Sequence, residues 1–259
     1  GNLIFPPTMG QQAGSSIVPA MLGFLVTGVG LPLMGVLAIA YSRSRDIQQL
    51  ASRVSVWYGV AFSVALYLSI GPLFVAPRNA TVAFDILGEG DHPGWLAGFA
   101  VIFYLLSFWL SVSPGKLVDR VGKVLTPALL LSIAILVVYA AFNPMAPLQA
   151  PSPEYAAHPV VKGLIEGYGT MDALASLVFA IIVINAVRSM GFERNADIMS
   201  LTARAGLVAV TFLAIVYAFV AYMGASSVGV MGFQENGAAV LAKSATHYFG
   251  YPGNFLLAV

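Results

Sequence analysis

The sequence predicts an all-α polytopic membrane protein, and two observations predict it. Of 259 residues, 59% are hydrophobic and 9% charged, against about 25% charged in an ordinary soluble domain, and the mean hydropathy is +0.86. The apolar residues are also gathered into runs long enough to cross a bilayer core, which takes roughly 20 residues. There are five complete runs, a sixth that is interrupted, and a partial run at each end.

In chain order the expected helices are Leu3 to Met9, Ile17 to Tyr41, Val54 to Ala76, Trp95 to Val112, Val124 to Phe142, Val160 to Val187 and Leu207 to Met223, with a further start near Asn254. The connectors are 10–16, 42–53, 77–94, 113–123, 143–159, 188–204 and 224–253. Gly1 is not Met and opens inside an apolar stretch, and Phe255 to Val259 resemble the opening of another helix, so the chain is expected to be truncated at both ends. Pro19, Pro32 and Gly71-Pro72 fall within or near helices, where neighbouring helices re-satisfy the freed backbone. The row Gly23, Gly28, Gly30 and Gly35 suits close helix packing.

Charge gives the orientation. Connectors 42–53, 113–123 and 188–204 hold Arg43, Arg45, Arg53, Lys116, Arg120, Lys123, Arg188, Arg194 and Arg204, whereas the opposite side holds Arg78, Lys162 and Lys243. Basic residues enrich cytoplasmic loops, so nine against three puts Gly10 to Ser16 outside and the start of the protein in the cytoplasm. A net charge of +1 offers no argument for nucleic acid, and the absence of Cys excludes disulfides, thiolate metal sites and cysteine nucleophiles within this segment. His92, His158 and His247 fall in or beside outer connectors and read as solvated. Trp57, Tyr58 and Trp95 sit near helix ends as interfacial anchors. Asn79-Ala80-Thr81 matches a glycosylation triplet, a pattern that often arises by chance.

Few polar groups lie within the runs: Asn2, Glu166, Asp172 and Asn185. Ionisable groups at such depth are functional candidates by default. Glu166 and Asp172 flank Gly167-Tyr168-Gly169-Thr170, and two glycines lower helix propensity by about 1 kcal/mol each. The sixth span is therefore expected to be two half-helices, the second limited to the apolar stretch Ala173 to Ile184. Thr170 is then a suitable N-cap, and Asp172 suits the positive end of the dipole. The same geometry gives N–H groups for a carboxylate ligand and carbonyls for a cation, with Thr170 and Asp172 as candidate cation ligands. Glu166 either meets a cation or a substrate ammonium, or sits in water at the outer mouth. Gly1-Asn2 before Leu3-Ile4-Phe5 and Pro6-Pro7 is a matching interruption in the first helix. Breaks at corresponding places in two halves of a carrier point to its binding site.

Gly1-Asn2-Leu3-Ile4-Phe5-Pro6-Pro7 and Glu166-Gly167-Tyr168-Gly169-Thr170-Met171-Asp172-Ala173-Leu174-Ala175, continuing through Ile184-Asn185-Ala186, resemble the hallmark segments of the bacterial branched-chain amino acid:cation symporters. The resemblance covers essentially the whole chain. It implies a partial LeuT-like inverted-repeat transporter fold, from the first to the start of the eighth transmembrane helix. The chain would form one transmembrane transporter domain over 1–259, with a first repeat at about 1–143 and the start of a second at about 158–259. It further implies symport of leucine, isoleucine and valine with Na+, or H+ in some members, across the bacterial cytoplasmic membrane by alternating access, with no organic cofactor. Carried over from more distant LeuT-like carriers, Gly1 contacts the substrate carboxylate and Asn2 is a cation ligand. Gly167, Tyr168, Gly169 and Thr170 line the facing wall. Leu3, Phe5 and Tyr168 offer apolar walls to a branched side chain, with Glu166 beside them.

Two other classes remain to be weighed. A channel calls for repeated filter sequences or charged rings, and neither is present in the sequence. An intramembrane hydrolase would use Glu166 and Asp172 as acid and base, but no nucleophile or metal motif accompanies them.

Overall fold

A computed structural model of the chain describes residues 2–42, 44, 46–86, 93–112, 121–250 and 253. Gly1, Arg43, Arg45, His92, Lys116, Arg120 and the start near Asn254 lie outside the described residues. Among the described residues the regular structure is entirely helical. Five helical stretches among the described residues are long and apolar enough to cross a membrane: Asn2–Ser42, Val56–Ile86, Gly94–Ser111, Asp172–Ser189 and Asn195–Met231, and Thr126–Phe142 is a shorter apolar helix.

The elements, in order, are a 3-10 turn Asn2–Ile4, α1 Phe5–Ala13, α2 Ile17–Leu25, a π segment Val26–Gly30, α3 Leu31–Ser42, α4 Ile47–Ala51, α5 Val56–Leu68, a second π segment Ser69–Leu73, α6 Val75–Ile86 and α7 Pro93–Ser111. They continue through a π segment Val121–Leu125, α8 Thr126–Phe142, α9 Pro153–Ala157, α10 Pro159–Gly169, α11 Asp172–Ser189, α12 Asn195–Met231 and α13 Gly237–Phe249. Gly14, at φ +46, turns the chain between α1 and α2, a conformation that only glycine adopts without strain. Gly71, at ψ −114, kinks the chain between α5 and α6 beside Pro72, which has no N–H for the helical ladder. Side-chain oxygens cap three helices: Asp46 accepts from the Gln49 N–H at 2.6 Å, Ser55 from Tyr58 at 3.1 Å and Asn236 from Ala239 at 2.8 Å.

The chain forms two compact units, neither of them a sequence half. The first holds 1–17, 76–156 and 216–259, and the second holds 18–75 and 157–215. The core of the first is Ile133, Leu136, Val137 and Ala140 of α8 against Val220, Met223, Leu241 and Ala245. That of the second is Ile39, Ile47 and Leu66 against Ala180, Ile184, Val187 and Ile198. Large apolar side chains also point outward, as on α7, where Val101, Ile102, Leu105, Phe108 and Trp109 are exposed. A helix apolar all round fits a lipid surround.

Connectors are more helical than their polarity suggests: 10–16 is helical throughout, and 42–53 and 143–159 contain α4 and α9. Connector 188–204 becomes helix from Asn195, connector 77–94 is helical to Ile86, and 224–253 contains α13. Average hydropathy falls wherever Lys243 or His247 appears, yet Ala238, Leu241, Ala242 and Ala245 form a buried stripe at helical spacing. The second half of the sixth span is likewise 18 residues long, not the 12 of its apolar stretch, because Asn185 to Ser189 continue the helix.

Candidate functional site

The predicted site residues fall into two groups. Asn2, Leu3 and Phe5 belong to the first unit, and Glu166, Gly167, Tyr168, Gly169, Thr170 and Asp172 belong to the second.

In the first unit, the 3-10 turn and α1 are seated by backbone contact. A Cβ on Gly10 would collide with the Ala221 carbonyl, one on Gly224 with Pro7 and one on Gly237 with Ile4. Glycine thus lets α12 and α13 approach the first helix at backbone distance. At the far end of α1, buried Gln11 donates to Ser227 Oγ at 2.9 Å and to the Gly232 carbonyl at 3.1 Å, and accepts from the Gln234 N–H at 3.0 Å. Gln12 and Ser15 hold the 143–152 strap through Ser152 N–H to Gln12 O and Ser15 N–H to Gln149 O, each 2.9 Å. Asn2, Leu3 and Phe5 are half-buried. Leu3 packs on the α8 core, and the Phe5 ring carries the Arg78 guanidinium over its face at 4.7 Å, a cation–π contact.

In the second unit, α10 ends at Gly169 and α11 begins at Asp172, so the expected break is present. Its turning residue is Met171, at φ +59 and ψ +15, the one non-glycine residue with positive φ among the described residues. Thr170 is the C-cap of α10, and the N-cap position of α11 is Met171. The Thr170 hydroxyl donates to the Gly167 carbonyl at 2.8 Å and receives the Asp172 N–H at 3.4 Å. Beyond the turn, the N–H groups of Leu174 and Ala175 both bond the Met171 carbonyl at 3.1 Å. Gly167 serves packing rather than flexibility, since a Cβ there would strike the Phe24 carbonyl and the Thr27 hydroxyl. Gly163 presses likewise on Ala20, and Gly23 on Val160. Thr27 Oγ1 donates to the Leu164 carbonyl at 2.8 Å. Of the glycine row in the second helix, Gly23, Gly28 and Gly35 make close contacts, whereas Gly30 meets only Leu25 O at 3.7 Å.

Thr170 is buried, Glu166 and Asp172 are half-buried, and Gly169 and Tyr168 are exposed, Tyr168 by 67%. The donor set at the break consists of hard oxygens, namely the Thr170 hydroxyl, terminal carbonyls of α10 and the Asp172 carboxylate, and such oxygens suit an alkali cation.

Two polar side chains that carried no role in the sequence are placed inside the structure, Gln11 wholly and Asn79 by its amide oxygen. Gln11 falls in the expected connector 10–16, yet it is 1% exposed. Asn79 was noted only for its glycosylation triplet, yet its Oδ1 is buried without a hydrogen-bond partner. No sequence signal marks either one, because burial of a connector residue depends on what packs over it.

The profile of the family described as "Branched-chain amino acid transport protein" matches residues 1–259. The chain is 45% identical to the branched-chain amino acid permease BrnQ of Bacillus subtilis, an alignment covering 99% of this chain and 60% of the relative. It is 41% identical to the branched-chain amino acid transport system 2 carrier protein of Pseudomonas aeruginosa, covering 100% and 60%. It is 35% identical to the branched-chain amino acid permease BrnQ of Escherichia coli, covering 100% and 59%. The chain thus spans about three fifths of the length of the curated relatives it matches. No solved structure matches it. The relatives are permeases and carriers rather than enzymes, and with the spanning helices they place the chain in the bacterial inner membrane as a multi-pass protein.

Proposed function

We propose, from the fact that the chain belongs to the branched-chain amino acid transport protein family, that the whole protein is a secondary carrier. It imports leucine, isoleucine and valine together with Na+ by alternating access. The carrier has a LeuT-like scaffold of two inverted repeats, at about 1–143 and from about 158, with the start of the protein in the cytoplasm. Gly1 and Asn2 meet the substrate carboxylate and the cation; Thr170 and Asp172 supply further cation oxygens; Gly167 to Thr170 line the opposite wall, with Glu166 beside them.

The observation that carries this reading is the left-handed turn at Met171 between α10 and α11. A membrane helix so interrupted must turn its freed backbone toward protein or a cavity, and carriers use such breaks to bind ions and zwitterions. The glycine contacts add support. The remainder of the first helix packs on the seventh, α12, and α10 of the sixth packs on the second, α2. An inverted repeat that pairs first with sixth and second with seventh produces this exchange.

The test is uptake of labelled leucine by the full-length protein in proteoliposomes. Saturable accumulation driven by an inward Na+ gradient is expected, and accumulation driven by a proton gradient alone would transfer the coupling to H+. Flux that neither saturates nor concentrates leucine overturns the carrier. Asn2→Ala should raise the Na+ concentration needed for half-maximal uptake at unchanged expression, and an unchanged requirement removes Asn2 as a ligand.

A further inference from the structure

Within the first unit, the turn Asn2–Ile4 together with α6, α7, α8, α12 and α13 lines a cavity of about 300 Å3. Ile4, Val82, Ala83, Ile133, Val137 and Leu241 form its aliphatic walls. Asn79 is the polar residue among the lining, and its Oδ1 is the buried oxygen left without a hydrogen-bond partner. Leaving a buried acceptor unpaired is costly, and such groups in native proteins call for an explanation.

We propose that this cavity receives the aliphatic side chain of the transported amino acid, and that Asn79 Oδ1 accepts a hydrogen bond from its ammonium group. The proposal rests on the carrier reading above. Leu3 and Ile4, which line the cavity, directly follow Asn2, so a zwitterion held at Asn2 lies beside the cavity's edge. The ammonium brings three donors and no acceptor, which matches a lone buried carbonyl oxygen. The cavity volume falls at the small end of ligand pockets, the walls bear no charge, and a cationic or anionic side chain has no partner there. Ile133, Leu136, Val137 and Val220 are at most 5% exposed and belong to the packed core, so this wall of the cavity is fixed and discriminates by volume. Ala83, the smallest of the lining residues, sets the room available for a fourth side-chain carbon.

The experiment compares initial uptake rates of leucine, valine and 2-aminobutyrate by full-length protein in proteoliposomes. Ala83→Leu should raise KM for leucine about 10-fold or more and leave that for 2-aminobutyrate within a few-fold, the range that one methylene commands in an apolar pocket. Ile133→Ala should act in the opposite sense, admitting norleucine. Asn79→Leu should raise KM for all three substrates together by about 10-fold, with Asn79→Gln recovering part of the loss. If Ala83→Leu does not fold, Ile133→Ala poses the same question with opposite sign. A leucine-to-valine preference unmoved by either change, in protein that still transports, overturns the cavity assignment and identifies the space as lipid-filled. Wild-type protein that takes up no branched-chain amino acid overturns the carrier reading instead.

Discussion

Gly167→Ala tests whether the sixth span depends on backbone contact with the second helix. An added methyl would lie 2.9 Å from the Gly28 nitrogen and closer still to the Phe24 carbonyl and the Thr27 hydroxyl. Ordinary contact for a methyl begins about 1 Å farther out, and two of those three neighbours are backbone atoms that cannot swing aside. α10 must therefore withdraw from α2 by roughly 1 Å, a strain of about 1–3 kcal/mol on the scale of overpacked cores. Withdrawal also lengthens the Thr27 to Leu164 bond of 2.8 Å, worth about 1 kcal/mol net. Replacing a helical glycine returns about 1 kcal/mol, which leaves a net loss of about 1–3 kcal/mol. The same displacement moves Tyr168 to Thr170, and misplacement by about 1 Å can lower a rate about 100-fold. Thermal unfolding of the purified full-length protein, together with leucine uptake, reads both effects. Gly98→Ala is the comparison, since nothing lies within 4 Å of its added Cβ, and it should be neutral or stabilise by up to about 1 kcal/mol. The reasoning fails if the two variants change stability and uptake alike.

Met171→Gly should raise stability by about 1 kcal/mol, because Met171 holds φ +59 with its side chain 60% exposed, a conformation that costs a side-chain-bearing residue about 1–2 kcal/mol; unfolding midpoints that fall instead would mean the thioether is packed. Gln11→Leu should cost about 1–3 kcal/mol, since it removes three hydrogen bonds and leaves the Gln234 N–H without its acceptor, whereas Ser227 Oγ still donates to the Gly224 carbonyl. Denaturation of the purified protein checks this, and a loss below about 1 kcal/mol would show that water replaces the amide. Gly237→Val should loosen the first helix, because its side chain would overlap the Ile4 backbone; faster proteolysis near residues 2–13 is the readout, and wild-type resistance argues against it. Thr27→Val and Thr170→Val should each cost about 1 kcal/mol by removing a bond to an α10 carbonyl. The double variant should depart from additivity because the two carbonyls are three residues apart, and strict additivity in thermal unfolding would count against a shared turn.

The runs of apolar residues announced the membrane helices because lipid demands a continuous apolar surface, so the spans around Ile17 to Tyr41 and Leu207 to Met223 were legible from composition. The helix ends were not. Asn185 and Arg188 extend α11, and Asn195 to Arg204 open α12, because helices run on into the polar interface where hydropathy no longer reports them. The break of the sixth span was legible from Gly167 and Gly169, but its turning residue was not. Glycine was expected to supply the unusual backbone, whereas Gly167 is consumed by packing on Phe24 and Thr27 and the left-handed turn falls to Met171. That division of labour depends on which residues face the neighbouring helix, and a single sequence does not state it. The role of Thr170 was half legible: its hydroxyl bridges the break, but it faces back to Gly167 as well as forward to Asp172. Gln11 and the amide oxygen of Asn79 were invisible for the same reason, since their burial is a property of the elements that cover them.

The second helix carries an irregularity of its own opposite the break, and the two are physically related. The π segment Val26–Gly30 separates α2 from α3, and an added Cβ on its Gly28 would sit 3.4 Å from Gly167 Cα. α10 packs on α2 and this segment, while α11 packs on α3 through Gly35 and Ser176. An interrupted helix leaves carbonyls at its end that lipid cannot satisfy. Thr27, carried on the π segment, reaches one of the α10 carbonyls, and Thr170 reaches another from the break itself. A π turn adds a residue to the helical ladder, so it rotates Thr27 and the small Gly28 into the arc that faces Gly167. A regular helix through 26–30 would shift every residue after the segment by about 100°, and the glycine face of α2 and that of α3 could not both meet the sixth span. The π segment therefore lets one continuous helix follow a partner that is broken in two, which accounts for the Val-Thr-Gly-Val-Gly sequence at that level of the second helix.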